Sequence, residues 1–319
     1  MNNNVLGGVR KFDFKKYIVY ISFLIVFFFF SIILHDKGFL SYGNMMNILR
    51  QTAMISVMAV GMTFAISAGE IDLSIGPIVA LSALVSALLV RDFGLLVAVI
   101  SGLLVGTLFG FINGVIISKV RIPSFLVTLG TSSIIGGFAR TITNLEAVPI
   151  TNKNFNFIFG SGDIGPISTL FLWTIIIMII GHYVYRKTPF GRAVLAVGGN
   201  RSAARFSGIK VEKIQVAVMT ISAICASFAG ILYAGRLHGA RYTLGEADIM
   251  TVIAAVVIGG TSFTGGRGTI VGAIIGSIIM GMLNNGLLLM GLSVSEQMIA
   301  KGIIIILAVS LSLREAKND

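Results

Sequence analysis

The sequence predicts an all-α membrane protein with about ten transmembrane helices, some of them short or broken. Three observations predict it: the balance of residue types, the recurrence of apolar runs about 20 residues long, and the confinement of Lys and Arg to a few segments between those runs. Of 319 residues, 55% are hydrophobic and 12% charged, and the mean hydropathy is +0.95. A soluble domain has about a quarter of its residues charged, so this chain cannot cover itself with a hydrated surface. No polar stretch is long enough to fold as a separate module. Residues 17–313 therefore read as one membrane domain between short tails at 1–16 and 314–319.

A helix crossing about 30 Å of hydrocarbon needs about 20 mostly apolar residues, because lipid offers the backbone no hydrogen-bond partner. That length places spans at roughly 17–34, 46–67, 75–90, 95–118, 124–143, 166–185, 214–235, 248–262, 268–290 and 296–313. The first is a Phe-rich run after a basic start, without a small-residue cleavage site, and reads as a retained span. The third and eighth are short and Gly-interrupted, as expected of helices that break inside a bundle. Glycines four apart (Gly102, Gly106, Gly110, Gly114; Gly268, Gly272, Gly276) share one helix face and read as close helix packing. Trp173, Tyr183 and Tyr185 flank the sixth span as an aromatic belt would. No regular repeat of 20–50 residues is present.

Charge orients the spans, since cytoplasmic loops hold most Lys and Arg. With the N-terminus inside, the inner segments collect Arg10, Lys11, Lys15, Lys16, Lys119, Arg121, Arg186, Lys187, Arg192, Arg201, Arg205, Lys210, Lys213, Arg267, Arg314 and Lys317, which is 16 of the 24 basic residues. The outer segments keep Lys37, Arg50, Arg91, Arg140, Lys153, Arg236 and Arg241, and Lys301 falls inside the last span. Both termini are thus expected in the cytoplasm. The Asn-rich loop 144–165 falls outside, either as a partner contact or as a solvated connector.

The same distribution excludes nucleic acid as the reason for the net charge of +11, because no basic stripe alternates with exposed aromatics. Cys225 is the single cysteine, so the chain cannot close a disulfide on itself. His35, His182 and His238 are scattered without metal-ligand spacing, and no nucleophile–base grouping suggests an enzyme. No Gly-rich phosphate loop of the nucleotide-binding kind occurs.

The longest basic segment, 186–213, carries the strongest signal. Asn200 reads as a helix N-cap and Gly208 as the left-handed residue beyond the end, leaving 201–207 as a short helix with Ala203, Ala204 and Ser207 on a small-sided face. Two readings stand: a helix that docks in a groove of a cytoplasmic partner, or a basic loop held by anionic headgroups.

Four stretches resemble the permeases of ribose-type ATP-binding-cassette importers, a family that also handles other simple sugars and autoinducers. They are MAVGMTFAISAGEIDLSIGP (58–77), GRAVLAVGGNRSAARFSGI (191–209), DIMTVIAAVVIGGTSFTGGRGTIVGAIIG (248–276) and MLNNGLLLMGLS (282–293). The resemblance runs from about residue 44 to 308. It implies a bacterial inner-membrane permease, not itself an enzyme, that passes ribose or a related monosaccharide by alternating access. It further implies a second permease copy, a cytoplasmic ATPase that holds ATP and Mg²⁺, and an extracytoplasmic sugar-binding protein. This chain would bind no cofactor or metal. The segment 191–209 would couple to the ATPase through a cytoplasmic coupling helix, by way of Gly191, Arg192, Gly198, Gly199, Asn200, Ala203, Ala204, Ser207 and Gly208.

Polar residues within apolar runs are the candidates for the path: Asp72, Asp248, Thr261, Ser262, Asn284 and Asn285. A neutral sugar needs amide and hydroxyl partners, while Asp72 and Ser74 serve equally as caps of the following helix. Glu70 stands where most members of the resembled family carry Gly, which weighs against an essential role. The intramembrane acids keep open a rival reading as an ion-coupled secondary transporter, and a passive channel is a second.

Overall fold

The structure, a computed structural model, describes residues 14–317. Most of the expected N-terminal tail (1–13, with Arg10 and Lys11) and the last two residues of the C-terminal tail lie outside them. Helices stand at every expected span: α1 (Phe14–Ile33), α2 (Tyr42–Ser67), α3 (Ile75–Val115), α4 (Ser124–Thr141) and, after the loop region, α6 (Thr169–Lys187). The loop itself holds β1 (Val148–Pro149), α5 (Lys153–Asn156), β2 (Asp163–Ile164) and β3 (Ile167–Ser168). Beyond α6 come α7 (Pro189–Gly199), α8 (Arg201–Phe206), α9 (Val211–Leu237), β4 (Gly239–Ala240), α10 (Ile249–Ile258), α11 (Ile270–Leu289) and α12 (Val294–Lys317). Among the described residues, five helical stretches are long and apolar enough to cross a membrane, namely α2, α3 with its π-helical extension to Val120, α6, α9 and α11. The chain is an all-α, multi-pass membrane protein.

Two expected spans are merged in α3. Gly94, at φ 78° and ψ 177°, folds the helix back on itself, a conformation essentially restricted to glycine. Ser86 Oγ donates to Ala98 O (3.0 Å) and Asn113 Nδ2 to Ser74 Oγ (3.0 Å), which sets the two halves antiparallel. The first half, 75–93, is longer than expected; the break precedes it. Its second half packs on α9 through the predicted glycine row: a Cβ on Gly106 would fall 2.3 Å from Ala223 O, and one on Gly114 2.6 Å from the Val216 Cα. Such approach maximises dispersion contact where lipid supplies no hydrophobic drive.

The loop 144–165 is not a solvated connector. Phe155 is fully buried and Phe159 nearly so, with Phe159 stacked on Trp173 at 5.7 Å. β1 pairs with β4 and β2 with β3, clasping this end of the bundle. Tyr185, expected in an aromatic belt, is a core residue instead: its hydroxyl lies 2.7 Å from Ser67 Oγ and its ring meets Phe64 edge-on. Burial is tolerated because the one polar atom has a partner.

Residues 69–74, between α2 and α3, turn back into the bundle: Gly69 and Glu70 still bond to the last turn of α2 and Ser74 O accepts from the Ile78 N–H, while residues 71–73 lie outside both helical ladders. Backbone deprived of both water and helix must find side chains. A row of hydroxyls on α4 supplies them: Ser124 Oγ accepts from the Ile71 N–H (3.0 Å), Thr128 Oγ1 from the Leu73 N–H (3.1 Å), and Ser132 Oγ donates to Leu73 O (3.0 Å). Spacing of four residues puts all three on one helix face. Replacing Thr128 with Val keeps the shape and orphans a buried N–H, so Thr128→Val should cost about 1–3 kcal/mol. Unfolding of detergent-solubilised protein would show it, with Thr128→Ser losing less.

Candidate functional site

The stretch 245–248 mirrors 69–72. Each begins on a left-handed glycine, Gly69 at φ 76° and Gly245 at φ 79°, and each continues Glu-x-Asp into a helix: Gly69-Glu70-Ile71-Asp72 before α3, Gly245-Glu246-Ala247-Asp248 before α10. The two helix starts abut, since a Cβ on Gly76 would lie 2.8 Å from Gly245 O and 2.9 Å from Ile249 Cδ1. From there α10 runs to the end that carries α8, where the Gly266 N–H donates to Ser67 O (2.9 Å). The first half of α3, about 28 Å long at 1.5 Å per residue, runs to the other. Each Glu is paired with an Arg from a separate element: Glu70 with Arg201 at 2.6 Å, Glu246 with Arg140 at 3.4 Å.

Of the two acids at these helix starts, Asp72 is fully buried and Asp248 partly so. Asp72 Oδ1 accepts from the Ser74 N–H (3.0 Å) and O–H (2.5 Å), which fixes the turn before α3; Ser74, the N-cap residue, makes no side-chain capping bond, so the expected cap does not form. The Ser222 hydroxyl faces the Asp72 carboxylate, and Asn113 Oδ1 nearby is buried without a partner. Asp248 accepts from the Tyr233 hydroxyl at 2.6 Å and lines a cavity of about 80 Å³ with Gln51, Thr251, Asn284 and Lys301. Asn284 Oδ1 is buried there without a partner.

Of the candidate path residues, the structure thus brings Asp248 and Asn284 together and places Asp72 on the neighbouring helix start. Asn285 points elsewhere. It exchanges two hydrogen bonds with Asn44, of 3.0 and 2.8 Å, and ties α11 to the first turn of α2. Thr261 and Ser262 sit in the loop after α10 at the α8 end, where Thr261 Oγ1 accepts from the Thr269 N–H (3.4 Å) and Ser262 Oγ meets Thr264 Oγ1 (2.9 Å). A double-mutant cycle on Asn44→Ala and Asn285→Ala should return a coupling of about 1 kcal/mol, read from unfolding in detergent.

At the α8 end, three stretches of backbone meet without side chains between them. A Cβ on Gly198 would fall 1.8 Å from Ser67 O and 2.6 Å from the Gly266 nitrogen, and one on Gly265 3.1 Å from the Gly69 nitrogen. Gly199 lies against Gly266, and a Cβ on Gly191 would strike Tyr185 O. Asn200 caps α8 as expected, its Oδ1 accepting from the Ala203 N–H at 3.0 Å, and Gly208 takes φ 81°. The helix ends at Phe206, leaving Ser207 as its C-cap. α7 was absent from the sequence reading, although Thr188 before Pro189 is an N-cap followed by proline at the first helical position.

The expected small-sided face is divided. Ala204 is buried against Val197 and Val211 and anchors α8, whereas Ala203, Arg192 and Ser207 are exposed. Sequence reading missed the residue that dominates the outer face: Phe206 is 93% exposed, an aromatic projecting from the most basic loop. It also missed Arg201, whose Nη2 reaches Gly69 O (3.1 Å) as well as Glu70. The signal for Phe206 lay in its polar surroundings; nothing local announced the partners of Arg201.

A bundle with broken helices whose acidic starts meet inside it, and with a short helix presented at one end, defines a transport permease. The chain belongs to the family of branched-chain amino acid transport system / permease components, which matches residues 44–309. It is similar to the ribose import permease protein RbsC of Bacillus subtilis (strain 168), 39% identical over 283 residues and 88% of each chain. The ribose import permease protein RbsC of Escherichia coli (strain K12) is 40% identical over 278 residues, 86% of this chain and 87% of that one. The D-allose transport system permease protein AlsC of the same strain is 35% identical over 281 residues, 87% and 86% of the two chains. No solved structure matches. The resemblance carried by the four motifs is borne out, and the chain is a transport component rather than an enzyme.

Proposed function

We propose that this chain is the membrane-spanning subunit of an ATP-driven importer for ribose or a related monosaccharide, and that α8 seats the ATPase. The observation that carries the reading is α8 itself: six residues anchored by Ala204 beside a glycine-packed junction, with Phe206 fully outward. An exposed aromatic on a rigid base is what a docking groove selects, because it buries a large apolar area with few rotamers to lose. Headgroups alone would favour the basic side chains of this loop over an apolar tip.

In this reading the α8 end is cytoplasmic, ten spans cross the inner membrane, and both termini are inside. Two copies enclose the path, an external binding protein delivers the sugar, and ATP and Mg²⁺ are held by the ATPase. Relatives named for ribose and D-allose support a monosaccharide cargo. Within the path, Asp248, Asn284, Gln51 and Thr251 supply the amide, hydroxyl and carboxylate groups a sugar bonds, and sparse bonding suits cargo that must leave.

Phe206→Glu should abolish co-purification of the ATPase and lower uptake of labelled D-ribose by about tenfold or more, with membrane insertion unchanged. Ala203→Glu, on the same outer face, should act alike; Ala204 is unsuited because its side chain is in the core. Retained ATPase binding in both variants removes α8 as the seat. Uptake that dies with the ion gradients and survives ATP depletion would instead make the protein a secondary transporter.

Orientation is checked separately. In a Cys225→Ser background, a membrane-impermeant maleimide added to intact cells should label Lys153→Cys and spare Ser202→Cys, with the pattern reversed in inside-out vesicles.

A further inference from the structure

Arg201 opens α8, yet its guanidinium belongs to another part of the molecule. Nη2 lies 3.1 Å from Gly69 O and 2.6 Å from Glu70 Oε1, so one side chain grips both the backbone and the acid of the segment 69–74. Glu70 is 2% exposed, and its Oε1 also accepts from Gln215 Nε2 of α9 at 2.7 Å. A buried carboxylate with one cationic partner is held to it firmly, because parting them strands a charge out of water.

Two residues further on, Asp72 fixes the start of α3 through Ser74, and Gly76 of that start rests against Gly245 and Ile249. A continuous series of contacts therefore leads from α8 through Arg201, Glu70 and Asp72 to the paired helix starts inside the bundle. Behind Arg201 a cavity of about 510 Å³, lined by Ile71, Arg121, Ser124 and Gln215 among others, leaves the joint room to move. By contrast, Arg205 pairs with Glu212 at the root of α9.

We infer that the Arg201–Glu70 pair is a positioning joint that carries displacement of α8 into the segment 69–74 and so to the meeting point of α3 and α10. The inference rests on α8 being the seat of the ATPase. Glu70 then acts through Asp72 and need not touch cargo.

The test uses the full permease–ATPase complex in proteoliposomes, with Ile71→Cys in a Cys225→Ser background. Ile71 lines the cavity, so a maleimide reaches it, and its labelling rate reports the segment without knowledge of the cargo. Trapping the ATPase with ATP and vanadate should change that rate by about fivefold or more. Glu70→Gln, which removes the charge pair without altering α8, should abolish the change while ATPase co-purification and basal ATP hydrolysis persist. Arg201→Lys, which keeps the charge pair, should retain most of it. Should Glu70→Gln fail to fold, Glu70→Ala gives the same reading.

A full change in Glu70→Gln, or no change in the parent complex with ATPase bound, overturns the joint. Loss of ATPase binding in the parent, or its retention in Phe206→Glu, counts against the seat on α8 instead, so the two failures are distinguishable.

Discussion

The fold depends on satisfying backbone that has left the helix where no water replaces it. Two stretches, 69–74 and 239–248, interrupt the α-helices at the paired helix starts, and an unpaired N–H or C=O in hydrocarbon would cost several kcal/mol. The first is carried by hydroxyls of α4 and by Arg201 on Gly69 O; the second begins in the β1–β4 clasp. With those groups met, two helices can start in the interior of the bundle, which is where a path needs polar ends. Every other arrangement of note, from the hairpin of α3 to the junction beneath α8, positions these stretches.

Close approach is the second constraint, and glycine provides it. The α3–α9 contact and the junction of Gly198, Gly265 and Gly266 with Ser67 place backbone on backbone. In a membrane, where apolar side chains gain little by leaving lipid for one another, such contact is the main source of cohesion. It also makes the α8 end stiff. A stiff end is suited to receive force, and a charged joint with empty space behind it is suited to pass force on.

The duplicated Gly-Glu-x-Asp gives the molecule an approximate inverted symmetry that no regular short repeat announces, since its copies are 176 residues apart. Each copy turns on a left-handed glycine, pairs its Glu with an Arg near its own end of the bundle, and places its Asp at a helix start. The pairings differ in burial: Glu70 is almost wholly enclosed while Glu246 is exposed. That asymmetry is what the inferred joint at Glu70 requires.

By itself the sequence determined the class, the places of the long helices, a capped short helix expected at 201–207 and the packing role of the glycine rows. Composition and short-range pattern suffice for these, because a helix satisfies its own backbone and a cap involves neighbours three residues apart. Tertiary structure alone decided which polar residues act together. Ser124, Thr128 and Ser132 carry no signal until an unwound strand lies beside them; Glu70 finds Arg201 131 residues away, and Asn44 finds Asn285 across 241. Asn284 and Asn285, adjacent in sequence, face a cavity and a helix contact because successive helical residues point about 100° apart. Partners at such separations are set by how helices cross, and no local period records a crossing.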